Sequence, residues 1–387
     1  MSAPEVFKKR RRKLLELVKE DSVLISEPFH IFYLTGLKAA LEPWEGVLLR
    51  RNPMFLGISR NESMFLLVGR SSLANPFLTD ELLFDSKSLF EGSLWMYGDY
   101  DVNERVVPTM NFVAEELSEV MEEMKSRAGF ALSNVGIEEW HIQHEVTERL
   151  SREFPSVKFS GISAVLRKMR ETKDETEVKC IREGMSRLKS VLNGASSLAV
   201  PGQTELRMLE NLSRAFRDEF GEESSLGGQV LSGRRTNEVF GEATGKKLEN
   251  GDRIILDLRT NFGGYWARES TTVLVGGSST SKGDFDGLEL ALERGSEALV
   301  AGASAGDVFT AISDNVQKVG DQSSMAHEAG NGIGLELRED PFILPGSKEE
   351  LREGMIIILS AGSYARPAAG ARFTACYHVG RTSSTRL

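Results

Sequence analysis

Five histidines and two cysteines are the side chains whose spacing first bears on chemistry in this chain. His141 and His144 stand three residues apart, the interval at which a helix puts two side chains on one face, where a pair of imidazoles is able to grip one metal ion. HIQHE is neither HExxH nor HxxEH, and no further His or Cys lies nearby in sequence, so the pair reads as a solvated helix face. His30 and His378 read as ordinary surface or hydrogen-bonded residues. Cys180 and Cys376 form no CxxC pair; a disulfide framework or zinc cluster is not expected, and a reducing cytoplasm is. There is no GxSxG elbow and no GxxxxGK(S/T) loop, and GNGIG at 330–334 lacks the strand–turn–helix setting of a nucleotide loop.

The elements that must position any such site belong to a globular chain. With 387 residues, 40 % hydrophobic and 27 % charged, it has room for two domains. No apolar run approaches the roughly 20 residues that span a bilayer, so no membrane partner is expected. The start, MSAPEVFKKRRRK, is basic without the apolar stretch of a secretory signal. A formal charge of −10 argues against nucleic acid as a partner. The basic run Lys8 to Lys13 reads as the solvated side of a helix that buries Leu14, Leu15 and Val18.

Residues 1 to 160 alternate strands with helices: VLIS at 23–26, a helical turn ending in YLTGL at 33–37, GVLLR at 46–50, MFLLVG at 64–69, a polar helix near 109–127, and a strand, turn and amphipathic helix across 131–154. This predicts a mixed sheet with helical cover. From 161 to 387 the pattern changes. A helix with apolar Val178, Ile181, Met185 and Leu188 is stopped by Pro201 and Gly202, and Thr204 is a suitable cap for the next. The glycine-rich remainder carries the strands IILDLRT, TTVLVGG and MIIILSAG and one long helical segment from about 285 to 318.

Motifs in this second region resemble the creatinase and aminopeptidase P family, the "pita-bread" peptidases. NGDRIILDLRTNFGGYWARESTTVLVGG (250–277) resembles its hairpin, HEAGNGIGLELREDP (327–341) its His-x-x-Gly-His-Gly-Ile-Gly-Leu segment, and LREGMIIILSAGSY (351–364) its Gly-Met strand. GARFTAC (370–376) resembles its closing Gly-x-Arg-x-Glu-Asp, while VLRKMRETKDETEV, PGQTE and YLTGL match in order upstream. The resemblance implies an α+β fold with two domains: an amino-terminal creatinase-like domain over 1–160 and a pita-bread domain over 161–387, in a homodimer.

It also implies a ligand set. The family's peptidases hold two divalent metals on two Asp, one His and two Glu, donors that suit hard or borderline cations and acidify a bridging water. Carried over, these fall on Asp257, Arg268, Asn331, Ser360 and Thr374, so only the first ligand survives and one is replaced by a fixed cation. No metal and no other cofactor is therefore expected. The catalytic His of creatinase falls on Phe240, and the family's proton-handling second His on Arg338. A one-residue slip would exchange Arg268 for Glu269; the Gly-Tyr turn at 264–265 favours Arg268. Asp257, Arg268, Asn331, Arg338, Ser360, Arg372 and Thr374 are the candidate ligand-binding residues, with His327 the candidate catalytic one. Asp257 and Arg268 either pair as a structural remnant, or Arg268, Arg338 and Arg372 form a cationic pocket for a carboxylate or other small anion, or His327 anchors a new catalytic constellation. Three functions follow: a silent homologue that binds a small anionic or peptide-like ligand or a protein partner, a metal-independent hydrolase of amidino or amide compounds, and a working Xaa-Pro peptidase.

Overall fold

A computed structural model describes residues 3–41, 54–69, 93–97, 113–114, 117–221, 225–276, 286–319, 325–364 and 369–387. The GVLLR strand expected at 46–50 lies outside these residues. The chain divides into two compact units, Met1–Met169 and Arg170–Leu387.

The first unit holds helices α1 (Ala3–Leu17), α2 (Pro28–Thr35), α3 (Leu117–Ala128) and α4 (His144–Glu153). Its strands are β1 (Ser22–Ile25), β2 (Phe55–Ser59), β3 (Met64–Gly69), β4 (Ser93–Tyr97), β5 (Val113–Ala114), β6 (Asn134–Ile137) and β7 (Lys158–Gly161). They form one mixed sheet in the order β5-β4-β3-β2-β1-β6-β7, antiparallel at β1–β2 and β2–β3 and parallel elsewhere. Pro28 opens α2 with a preset φ, and Gly36 closes it at φ 79°. The basic helix corrects the sequence reading. Leu14, Leu15 and Val18 are buried as expected, but so are Arg10 and Arg11. These two guanidiniums donate to the carbonyls of Tyr33 and Leu34, satisfying acceptors in the last turn of α2, and Arg10 also stacks on Tyr33. His141 lies in the turn before α4 and His144 is its first residue, so the two share no helix face.

Helix α5 (Ser163–Glu171) carries the chain past the point where the units divide. In the second unit, Asp174 caps α6 (Glu175–Leu198) through a capping box with Glu177, and Thr204 caps α7 (Glu205–Phe220) by accepting from Arg207 N. The long helical segment expected over 285–318 is two helices, α8 (Asp286–Ala298) and α9 (Ala305–Val319). Gly302 takes φ 89° between them, and Ser304 and Asp307 restart the second by hydrogen-bonding each other's backbone N–H.

The strands are β8 (Leu226–Ser232), β9 (Arg253–Phe262), β10 (Tyr265–Leu274), β11 (Gly330–Gly332), β12 (Glu339–Ile343), β13 (Ile356–Ser363), β14 (Ala371–Val379) and β15 (Ser384–Arg386). All pair antiparallel, in the order β12-β11-β13-β14-β10-β9-β8, with β15 beside β14. Period-two alternation sorts the two faces. Ile357, Leu359 and Ala361 of β13 and Ala371, Phe373 and Ala375 of β14 enter the core with Leu288 and Leu292 of α8 and Val308 and Ile312 of α9. The even-numbered Ile358, Ser360, Arg372 and Thr374 are left to the opposite face, where the polar residues gather.

Candidate functional site

Strand register builds a polar row across that face. Gln229 pairs with Asp257, Asp257 with Ser270, Ser270 with Thr374, and Thr374 with Ser360. Gly330 keeps the end of the row tight: at φ 152°, an added Cβ would stand 1.9 Å from the carbonyl oxygen of Ile358. Ser270 Oγ donates to Thr374 Oγ1 at 2.7 Å, and Thr374 Oγ1 donates to Ser360 Oγ at 3.1 Å.

Asp257 is 5 % exposed and both of its oxygens are taken by one guanidinium. Arg268 Nε donates to Oδ1 at 2.8 Å and Nη2 to Oδ2 at 2.6 Å, the bidentate fork to which a planar guanidinium is suited. Arg372 Nη2 lies 3.5 Å from the same Oδ2 and donates to Gln229 Oε1, while its Nη1 donates to the carbonyl of Val239. Burial alone would push the Asp257 carboxyl up, but the charge and hydrogen bonds of Arg268, then the charge of Arg372, hold it below the ordinary value. Burial likewise opposes the Arg268 charge, and Asp257 more than offsets it. Glu269 points to the other face and meets Arg386 at 2.8 Å, so Arg268, two residues before Asp257's register partner Ser270 and on the same face, is the residue that reaches the carboxylate.

A small cleft, partly open to solvent, lies over this row. Of the sequence-derived candidates, Arg268, His327, Asn331, Ser360 and Arg372 line it; Asp257 and Thr374 stand behind, joined by hydrogen bonds to lining residues. Arg338 corrects the sequence reading. It does not line the cleft but pairs with Glu328 at 2.7 Å and lies over the Phe342 ring. It sits on the turn before β12, where no strand register aims a side chain at the row.

Tyr364, which sequence reasoning did not single out, joins the site. Its hydroxyl lies 2.8 Å from His327 Nε2, and His327 Nδ1 is 2.6 Å from the carbonyl of Glu328. The carbonyl accepts only, so Nδ1 carries the proton and the phenol donates to Nε2. Burial lowers the His327 pKa, with Arg372 and Arg268 acting in the same direction, and burial pushes the Tyr364 phenol up to about 12. Both groups are therefore neutral near pH 7. The signal for Tyr364 was its even spacing from Ser360. Phe240, where creatinase has its histidine, is 64 % exposed at the cleft's lip beside Val239.

These residues do not fit a pair of divalent ions. Among the five family ligand positions the only carboxylate already accepts two hydrogen bonds from a guanidinium. Asn331 turns its Nδ2 donor to the carbonyls of Gly332 and Leu337, and Ser360 and Thr374 offer neutral hydroxyls. A second cluster, Glu27, His30 and Glu138 in the first unit, brings its donor atoms within 4.8 Å of one another. It is a hydrogen-bonded brace: His30 Nδ1 bonds directly to Glu138 Oε1, and Glu138 Oε2 accepts from Ser26 N and Glu27 N at 2.7 Å each.

The comparisons with known proteins bear on the whole chain. Residues 8–172 match the Creatinase/Prolidase N-terminal domain, and residues 179–381 match Metallopeptidase family M24. The Xaa-Pro dipeptidase of Pyrococcus furiosus is 22 % identical over 98 % of both chains, and that of Pyrococcus horikoshii 23 % identical over 85 % of this chain and 91 % of its own. Among solved structures, the X-Pro aminopeptidase from Thermotoga maritima superposes with a TM-score of 0.75 at 20 % identity, covering 98 % of this chain and 96 % of its own. Dipeptidase PepE from Mycobacterium ulcerans does so with a TM-score of 0.76 at 19 % identity, covering 100 % and 96 %. With a creatinase-type amino-terminal domain followed by a pita-bread domain, this α+β chain belongs to metallopeptidase family M24.

Proposed function

We propose that this protein is a metal-free, non-peptidase homologue of the Xaa-Pro peptidases that binds a small anionic or peptide-like ligand in the old active-site cleft. The observation that carries the reading is the Asp257–Arg268–Arg372 cluster. Two guanidiniums share one carboxylate, leaving one positive charge uncompensated at the base of the cleft. Desolvated positive charge beside free donors recruits an anion, and a guanidinium suits a carboxylate. The expectation of a homodimer accompanies the family resemblance, and that of a reducing cytoplasm rests on the two free cysteines.

The test is calorimetric titration with acetate and with acetamide. Binding of acetate but not acetamide, lost in Arg268→Gln, is the expected result. Equal binding of both, or acetate affinity indifferent to Arg268, overturns the reading. A second reading, an active Xaa-Pro peptidase, is favoured by the names of the relatives; it requires ligands other than the five inherited positions.

A further inference from the structure

If the cleft takes an anion, as just proposed, the groups left over around it say which kind. Arg268 spends Nε and Nη2 on Asp257, and its Nη1 has no acceptor among the described residues. The hydroxyl chain runs Ser270 to Thr374 to Ser360, so the Ser360 proton at its end is left to donate into the cleft. Asn331 turns its amide nitrogen to two backbone carbonyls and keeps Oδ1 as an acceptor. The cleft's one lining carboxylate, Glu328, is already paired with Arg338. Beside these stands an apolar wall of Val239 and the exposed Phe240.

We infer that the cleft selects an N-acylated amino acid with an apolar side chain and a free carboxylate, and discriminates against the same amino acid with a free ammonium. The carboxylate takes the two donors, Arg268 Nη1 and Ser360 Oγ. The amide N–H of the acylated nitrogen has an acceptor in Asn331 Oδ1. The apolar side chain covers Phe240, removing its ring from water. A free ammonium has no such place: it would enter beside two guanidiniums and find each nearby carboxylate already ion-paired, so like-charge repulsion and desolvation go uncompensated.

The experiment is isothermal titration at pH 7 with three matched probes: N-acetyl-L-phenylalanine, L-phenylalanine and N-acetyl-L-phenylalaninamide. The acetylated acid is expected to bind at least about tenfold more tightly than either of the others, the ratio that one lost charge-assisted hydrogen bond brings. Phe240→Ala, at an exposed position where folding is not at stake, is expected to weaken the acetylated acid while leaving acetate unchanged. If L-phenylalanine matches or exceeds the acetylated acid while the amide stays weak, this inference falls and the anion reading stands. If the amide binds as tightly as the acid, or none of the three binds, the anion reading falls and takes the inference with it.

Discussion

Replacing Asp257 with Ala would leave Arg268 and Arg372 facing each other in a buried place without their shared carboxylate. Arg268 is 16 % exposed at its side chain and Arg372 2 %. At an effective dielectric constant near 20, unit charges about 4 Å apart interact by about 4 kcal/mol, and breaking buried pairs costs about 3–5 kcal/mol. The upper part of that range is expected here, because two cations lose one anion. For a unit of this size, each kcal/mol lowers the melting temperature by about 2–4 °C, so Asp257→Ala should lose roughly 10 °C or more. Calorimetric unfolding of Asp257→Ala, Arg268→Met and the double variant Asp257→Ala/Arg268→Met forms the cycle. The double variant should lose clearly less than the sum of the two single losses, because Arg268 is no longer left as an unpaired buried cation, while Arg372 still lacks its carboxylate. A shift under about 2 °C for Asp257→Ala, or losses that simply add, would refute a buried, coupled pair.

Two further expectations concern pH. Burial would raise the Glu339 carboxyl, but Lys173 and Arg170 outweigh it and hold it at about 2. A depressed carboxylate contributes stability above its unfolded value, lost as pH falls from the ordinary range toward 2. Glu339→Gln should remove about 3 kcal/mol of that acid-dependent stability, read from denaturant unfolding between neutral pH and pH 2; an unchanged pH slope would contradict it. His327, lowered by burial and by two arginines, favours folding while neutral. The unfolded chain takes up its proton first, so this contribution fades as pH falls below about 6.5. The imidazole resonance of His327 should titrate below that value, and Tyr364→Phe should move its titration; a normal curve in both would break the buried-pair assignment.

Much of the fold was legible in sequence because it is carried by local signals: the cap at Thr204, punctuation at Pro201 and Gly202, and alternation along β9, β10 and β13. The candidate residues carried over from the family resemblance come together where they lie on strands. Asp257, Arg268, Ser360 and Arg372 meet because their parity and register are fixed by the sheet. Tyr364 follows the same even parity as Ser360 and was missed for want of a motif. Arg338 went astray because a turn has no parity. The long helical segment hid its break at Gly302, since the apolar periodicity resumes after it. Arg10 and Arg11 look solvated by residue type alone, and only the carbonyls of α2, more than twenty residues away, explain their burial. His30 and Glu138 are 108 residues apart, a pairing no local pattern encodes.

The central claim is that the inherited peptidase positions no longer hold metal. Elemental analysis of the purified protein after incubation with manganese, cobalt and zinc, with Xaa-Pro cleavage assayed on the same samples, tests it most directly. Metal well below one ion per chain and no cleavage is the expected result. Two ions per chain together with cleavage would mean that other side chains have rebuilt the centre, and would contradict the account.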